Sequence, residues 1–497
     1  MNVTYIGHAG LYIETKDCKI LCDPWKHENP QFFRSWYVYP DNSNLDWKKM
    51  MTDVTFLYVS HMHNDHLDRV FLRELSNNSE IKVILPDYRY CRLKEELQSV
   101  GFKNFIIEGG KIGDTEFFTY PSETISRERE DSSLLVDDGN ITFLNVNDST
   151  INSNHQNDIH NRFGDIDMIA CQFSGASWWP LCYDNYSEKE MIELCREFKN
   201  RKIVDYFRLI NKLKVKKTVT TAGPPCFFDK KMVHLNYYGH NASVFYDGWD
   251  IQEFDDRNDI FRVIPGDKFT YNSIVDRKER PFDKEKFIQS RIYEDNETIT
   301  KDEFKLVKNK FTIWFTEILK NSTWLNKYIF GNIYISIENH EDFCLNFKKG
   351  SIKAVNKIEK KGIYYIIKIP GRIFYKLVTE KCTDWEEAFL SLKIRFERYP
   401  DKYNPWILSF FRNLNIEQLN RIQDVSNSYE VQTEMIEIGE YEVSRYCPHQ
   451  QYDLLYHGVV DLKNKSIECL GHGWKWCLES GNGKNCSIDI ESKKIRN

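Results

Sequence analysis

The nine residues Ser60-His-Met-His-Asn-Asp-His-Leu-Asp68 constrain this chain more than any other stretch, because three imidazoles and a carboxylate fall within the positions from His61 to His66. Neutral imidazole and carboxylate are donors for zinc or non-haem iron, and ligands at this density suit two ions held close together. The apolar run Val54-Thr-Phe-Leu-Tyr-Val59 just before them reads as a buried strand, which puts the donors on the loop leaving its carboxyl end. Layered α/β folds build their sites in that position.

The flanking sequence supports such a fold. Residues 3–14 and 19–25 alternate as two neighbouring strands around a polar turn at Lys16 and Asp17. His8 and Asp23 are the polar exceptions at their ends; with Asp65 they are candidate catalytic residues, and the bland alternative for that pair is a hydrogen-bonded structural role. Helical spacing over 71–76 and 92–100 encloses a buried strand at 83–86, and strands at 116–120, 133–136 and 141–146 continue a β, α, β, α rhythm. The last ends on Asn147 and Asp148, where the carboxylate can serve a metal or form an Asx turn. Residues 168–180 read as a strand and an aromatic loop, 187–213 as amphipathic, and 217–222 as a strand stopped by Gly223, Pro224 and Pro225. His234 and His240 follow; His234 is a candidate ligand from the far sheet, and either is also at home as a packing histidine.

The order His61, His63, Asp65, His66 resembles that of the metallo-β-lactamase superfamily. The resemblance implies an α/β fold, a four-layer αβ/βα sandwich with one or two metals between its sheets, and it implies Asp148 as the bridging ligand. The superfamily usually supplies a histidine on the loop before the 133–136 strand. Here that loop reads Ser122-Glu-Thr-Ile-Ser-Arg-Glu-Arg-Glu130 and has none. Glu128 is the first choice to replace it, with Glu123 and Glu130 behind, against a solvated charge run. An oxygen donor in that slot shifts preference from zinc towards iron or manganese.

Beyond residue 266 the character changes. Phe304, Val307, Phe311, Trp314, Phe315 and Ile318 recur at helical spacing, 363–370 reads as a strand, and Asp384 as a helix N-cap. The expected division is a metallo-β-lactamase-like domain over 1–266, a small helical α+β domain over 267–423, in which Ile369-Pro-Gly-Arg372 and Tyr399-Pro-Asp401 resemble strings of sterol-carrier-like folds, and an all-β domain over 424–497. That last part holds Cys447-Pro-His449 and Cys469-Leu-Gly-His472, spaced as in a Rieske [2Fe-2S] centre, where two thiolates hold one iron and two imidazoles the other. A Cys2His2 zinc knuckle is the alternative. Gln450 and Gln451 leave no partner in the first loop for the disulfide of high-potential Rieske proteins.

Net charge is −6, with no lysine or arginine block, so neither a nucleic-acid footprint nor a polybasic membrane patch is expected. The amino terminus runs straight into a strand, no apolar span is long enough to cross a bilayer, and thirteen cysteines without a secretory pattern read as reduced thiols and ligands. The expected compartment is the cytoplasm.

A one-electron carrier has nothing to do in a zinc hydrolase, but beside an oxygen-rich metal site it makes sense as an electron feed for dioxygen activation by one or two non-haem irons. Residues 3–9, 22–25, 60–67, 143–148 and 173–177 resemble strings of the CMP-N-acetylneuraminate hydroxylase family, which implies a monooxygenase acting on the N-acyl group of a sugar nucleotide. A ferredoxin, cytochrome or flavin reductase would supply electrons. Two departures stand out: the Rieske module lies at the carboxyl end, and Arg127 falls near that family's loop histidine. The rival readings are a metal-dependent hydrolase of lactonase or phosphodiesterase type, with zinc, and an oxygenase acting on an unrelated small molecule.

Overall fold

Strands buried on both faces carry unbroken apolar runs, and the run ahead of the His-rich loop is one of them: Phe56 and Tyr58 point into one core, Leu57 and Val59 into another. The same period of two recurs in Glu130–Asp137, where Leu134 and Val136 oppose Leu135, and in Met168–Gln172, where Met168 and Ala170 oppose Ile169 and Cys171. The structure, a computed structural model, describes residues 1–124, 130–237, 244–245, 260–277, 283–295, 298–428 and 433–495. It divides into two units, one of 1–123, 130–176 and 196–293, the other chiefly of 177–195 and 294–497.

The first unit holds an eight-stranded and a seven-stranded sheet. A core drawn from both sheets, including Phe56, Ile84, Phe117, Phe143 and Val219, lies between them. The first sheet's outer face packs on the helices Trp47–Asp53, Arg69–Leu75 and Arg92–Val100, the second's on Ser153–Phe163 and the segment from Tyr206 to Leu213. This is the expected αβ/βα sandwich. Each sheet has a parallel half, Lys19–Cys22 through Asn104–Ile107 in one and Thr142–Asn147 through Ile260–Phe261 in the other. The expected boundary at 266 falls inside the first sheet, because Lys268–Phe269 pairs with the amino-terminal strand and Ile274–Asp276 lies beyond it. Strands this short show no alternation to read.

In the second unit, the helix Lys301–Asn321 starts on a Thr300/Glu303 capping box and buries Phe304, Val307, Phe311, Trp314, Phe315 and Ile318, the face read from spacing. It accompanies a five-stranded sheet ending on Arg395–Tyr399. Asp384 accepts the Glu386 amide one position earlier than an N-cap would, Trp385 occupying the cap itself. Two three-stranded sheets follow, Met435–Ile438 with Tyr441–Ser444 and Ser492–Lys494, and Gly458–Asp461 with Ser466–Cys469 and Lys475–Cys477. Among the described residues, no helix is long and apolar enough to cross a membrane. None of the thirteen cysteines forms a disulfide.

Candidate metal centres

The first site forms where strand ends of the two sheets meet. Asp68 starts the helix Arg69–Leu75 by accepting the Val70 and Phe71 amides, which ends the His-rich loop and leaves its imidazoles on one side. Asp23, at the end of Lys19–Cys22, accepts both the amide (2.7 Å) and the hydroxyl (2.8 Å) of Ser60. It also lies 3.0 Å from His66 Nδ1. His61 Nδ1 faces Ser60 Oγ at 2.9 Å and Asp131 Oδ1 at 3.3 Å. A carboxylate on the far nitrogen fixes the tautomer and orientation of a metal-binding imidazole, and His61 and His66 both have one.

Their other nitrogens converge. His61 Nε2 is 2.8 Å from His63 Nδ1; His66 Nε2 is 3.8 Å from Asp65 Oδ2 and 3.7 Å from Asp148 Oδ1. His8 directs Nδ1 at the Gly223 carbonyl (3.0 Å) and Nε2 at Asp65 Oδ2 (2.8 Å). Two donor groups result, His8, Asp65 and His66, and His61, His66 and Asp148. The donors fit an ion: His66 Nε2 and Asp65 Oδ1 are buried yet make no hydrogen bond. Buried polar atoms rarely go unpaired without a reason. His8, Asp23, Asn147 and Ala222 all have φ between 40° and 54°, a conformation non-glycine residues adopt seldom and which collects at functional sites.

The electrostatics point the same way. Burial alone would lower the pKa of His66, but Asp65, Asp148 and Asp23 around it push it up to about 10. Burial likewise opposes ionisation of Asp65, yet the His66 and His8 imidazoles hold it well below the usual carboxylate range. Three carboxylates thus face His66, of which Asp65 also meets His8, an arrangement suited to a cation held among them. Asp23, wholly buried, has its pKa raised by desolvation against the pull of His66 and Ser60. It lies behind His66, on the Nδ1 side of that ring. Changing Asp23 to alanine is therefore expected to weaken metal binding by about 10- to 100-fold, measured by competition with a chelator.

The loop carrying Asp148 is tied down by its own helix. Asn152 caps Ser153–Phe163, and His155 sits in that helix with its ring against Tyr120, bonded to the Thr150 backbone. Burial lowers the His155 pKa to about 4. The unfolded chain protonates this residue near pH 6.5 and the folded chain only near 4. The cost is absent above pH 6.5 and grows to about 3 kcal/mol as pH falls to 4. A His155→Phe variant should lose less stability than its parent between those limits, followed by urea unfolding against pH.

Two residues of the site, Ser60 and Asp131, stand outside the candidates read from the sequence. Neither carries a signal in the sequence; Asp131 ends a charge run, and the packing of its sheet on the sheet that carries the His-rich loop brings it to His61. Glu128 lies outside the described residues, as does His240, and the side chain of Glu123 is not described. Glu130 opens its strand, half-buried. His234, in the short helix Val233–Asn236, belongs to none of the donor groups among the described residues. His8, expected as a catalytic residue, lies in one of the groups whose atoms could hold a metal.

The second site is built from two loops of one design. The Cys447 amide bonds the Tyr452 carbonyl and its own carbonyl accepts from Gln451; the Cys469 amide bonds the Trp474 carbonyl and its carbonyl accepts from Gly473. Gln451 (φ 58°) and Gly473 (φ 74°) make the same left-handed turn in each loop. Both thiols are fully buried, and Cys447 Sγ lies 3.2 Å from His472 Nε2, with Cys469 Sγ 3.7 Å from His472 Nδ1. The His449 and His472 rings are 4.5 Å apart. Burial would raise the Cys447 thiol, but Cys469, His472 and His449 hold it well below its ordinary value, favouring the thiolate an iron–sulfur cluster needs. Cys447, Cys469 and His472 form the third donor group, with His449 beside it.

Residues 2–205 match the Beta-lactamase superfamily domain, 307–429 the Rv3818-like, SCP2-like domain and 438–489 the Rieske [2Fe-2S] domain. Fold and sites thus define a Rieske protein with an amino-terminal metallo-β-lactamase-fold domain. A Mycolicibacterium smegmatis protein described as a Rieske 2Fe-2S iron-sulfur protein is 30% identical, over 97% of this chain and 97% of its own length. The chain belongs to that family. Cytidine monophosphate-N-acetylneuraminic acid hydroxylase of Asterias rubens is 26% identical over 41% of this chain and 32% of its own. The solved structure of CmlA, a diiron beta-hydroxylase from Streptomyces venezuelae, is similar over 54% of this chain and 53% of its own, at 14% identity and a TM-score of 0.34.

Proposed function

We propose that this chain is a Rieske-fed non-haem iron monooxygenase. One observation carries the reading: a single chain holds two separate converging donor sets, one of imidazoles and carboxylates, the other of thiols and imidazoles. A hydrolase has no use for the second. Iron in the first set would supply dioxygen activation and the cluster single electrons.

The chain's own residues hold and orient. In this reading His61, His63 and Asp148 would hold one ion, and His8, Asp65 and His66 a second. Glu128 is assigned the slot left by the missing histidine. Asp23 and Asp131 keep the Nδ1 protons of His66 and His61 in place, so each ring presents Nε2 as a neutral donor. Strand ends fix the donors, which favours a preset geometry over one assembled by substrate. Electrons would come from a ferredoxin, cytochrome or flavin reductase in the cytoplasm. The substrate is a small molecule, and likeness to the Asterias hydroxylase makes the N-acyl group of a CMP-linked sugar the first to try.

The test is single-turnover oxidation of the chemically reduced protein in the presence of CMP-N-acetylneuraminate, with product analysed by mass. A product heavier by one oxygen atom supports both activity and substrate. Hydrolysis of a lactone or phosphodiester by protein lacking the cluster would overturn the reading.

A further inference from the structure

One short segment of the SCP2-like domain reaches into the loops of the second site. The strand Arg395–Tyr399 runs on through Pro400 to Lys402, Tyr403 and Asn404. Asn404 belongs firmly to its own domain: it caps the helix Pro405–Arg412 and donates to the Tyr328 carbonyl at 2.8 Å. Tyr403, one residue earlier, pairs with the other domain. Its amide donates to the Asn485 carbonyl (2.8 Å) and its carbonyl accepts from the Ser487 amide (2.9 Å), forming a parallel bridge with Cys486. Lys402 Nζ adds a bond to the Gly483 carbonyl.

From there the path to the donors is short. The Asn485 side chain accepts the Lys475 amide and donates to the Gly473 carbonyl, both at 2.8 Å, bracketing Trp474 directly after the His472 loop. The Gly473 amide in turn bonds the Cys469 carbonyl at 2.7 Å. The Tyr403 ring packs against Trp474 at 5.7 Å, and Trp474 lies flat on His449 (4.3 Å, 16°) and edge-on to His472 (4.9 Å, 80°). One indole touches both imidazoles, and a residue from another domain backs it.

We propose that Tyr403 is a positioning residue for the cluster: through Trp474 and Asn485 it holds the cover over both imidazole ligands, so that the SCP2-like domain sets the reduction potential. Two ferric ions, two sulfides and two thiolates sum to zero charge, and reduction by one electron leaves the core negative. Water reaching the imidazoles favours that charged form, so loosening Trp474 raises the potential.

The test is redox titration and electron paramagnetic resonance of the full-length, cluster-loaded protein without substrate, readouts independent of the monooxygenase reading. Tyr403→Ala should favour reduction about tenfold, an upward shift of about 59 mV for one electron, with altered g-values. Asn485→Ala should move the potential the same way, and Tyr403→Phe, which keeps the ring and the backbone bridge, should match the parent. A parent-like potential and spectrum in Tyr403→Ala would overturn the proposal. If that variant loses its cluster, Tyr403→Leu decides: a raised potential supports the role, an unchanged one removes it.

Discussion

Replacing His472 with alanine is expected to abolish dioxygen consumption coupled to product, while metal in the first donor set stays in place. His472 Nε2 lies 3.2 Å from Cys447 Sγ and its ring 4.5 Å from His449, so its loss takes one of two imidazoles from the iron that the thiolates do not hold. No residue of the first set lies on these loops, so the two effects separate cleanly. Metal analysis and an oxygen electrode measure them together. Coupled turnover persisting in His472→Ala would mean that electrons reach the first site by another route, and the electron-feed assignment would be wrong.

The change with the largest expected structural effect is His66→Ala. Asp23, Asp65 and Asp148 all face this imidazole, and its removal leaves three carboxylates without their shared cation. Breaking a buried ion pair from one side costs about 3–5 kcal/mol, and here one side chain serves three partners. The variant should unfold at markedly lower urea in the metal-free state and retain little metal at equilibrium. Equal urea midpoints for metal-free His66→Ala and metal-free parent would show that the carboxylates accept protons instead, and that the site is less charged than its geometry implies.

How much of this was legible depends on how local each signal is. Cys447, His449, Cys469 and His472 lie on two tight loops whose spacing already encodes the ligand set, and the same holds for His61 through His66. The sandwich itself was legible only through the resemblance carried by the His61–His66 order; apolar runs located its strands, which, like Glu130–Asp137, bury both faces in successive residues. Long-range register was not legible. Asp131 follows Glu128 and Glu130 as one more charge, and its approach to His61 comes from packing one sheet on the other. His8 and Asp23 could be placed at strand ends, yet their parts depend on which nitrogen or oxygen faces which neighbour. The segment 182–185 pairs with the edge strand Arg395–Tyr399 through bonds such as Asp184 N to Phe396 O, more than two hundred residues away in sequence. No local pattern marks such a partner. Likewise Tyr403 reads as an aromatic beside a proline turn until its bridge to Cys486 is seen.

The central claim is that one polypeptide carries a Rieske cluster alongside a separate iron site. Iron, zinc and acid-labile sulfide assays on anaerobically purified protein, with its absorption spectrum, test it most directly. The account predicts a coloured protein with two sulfides per chain for the [2Fe-2S] cluster and iron in excess of that cluster's two. Colourless protein with zinc in both donor sets and no sulfide would contradict it.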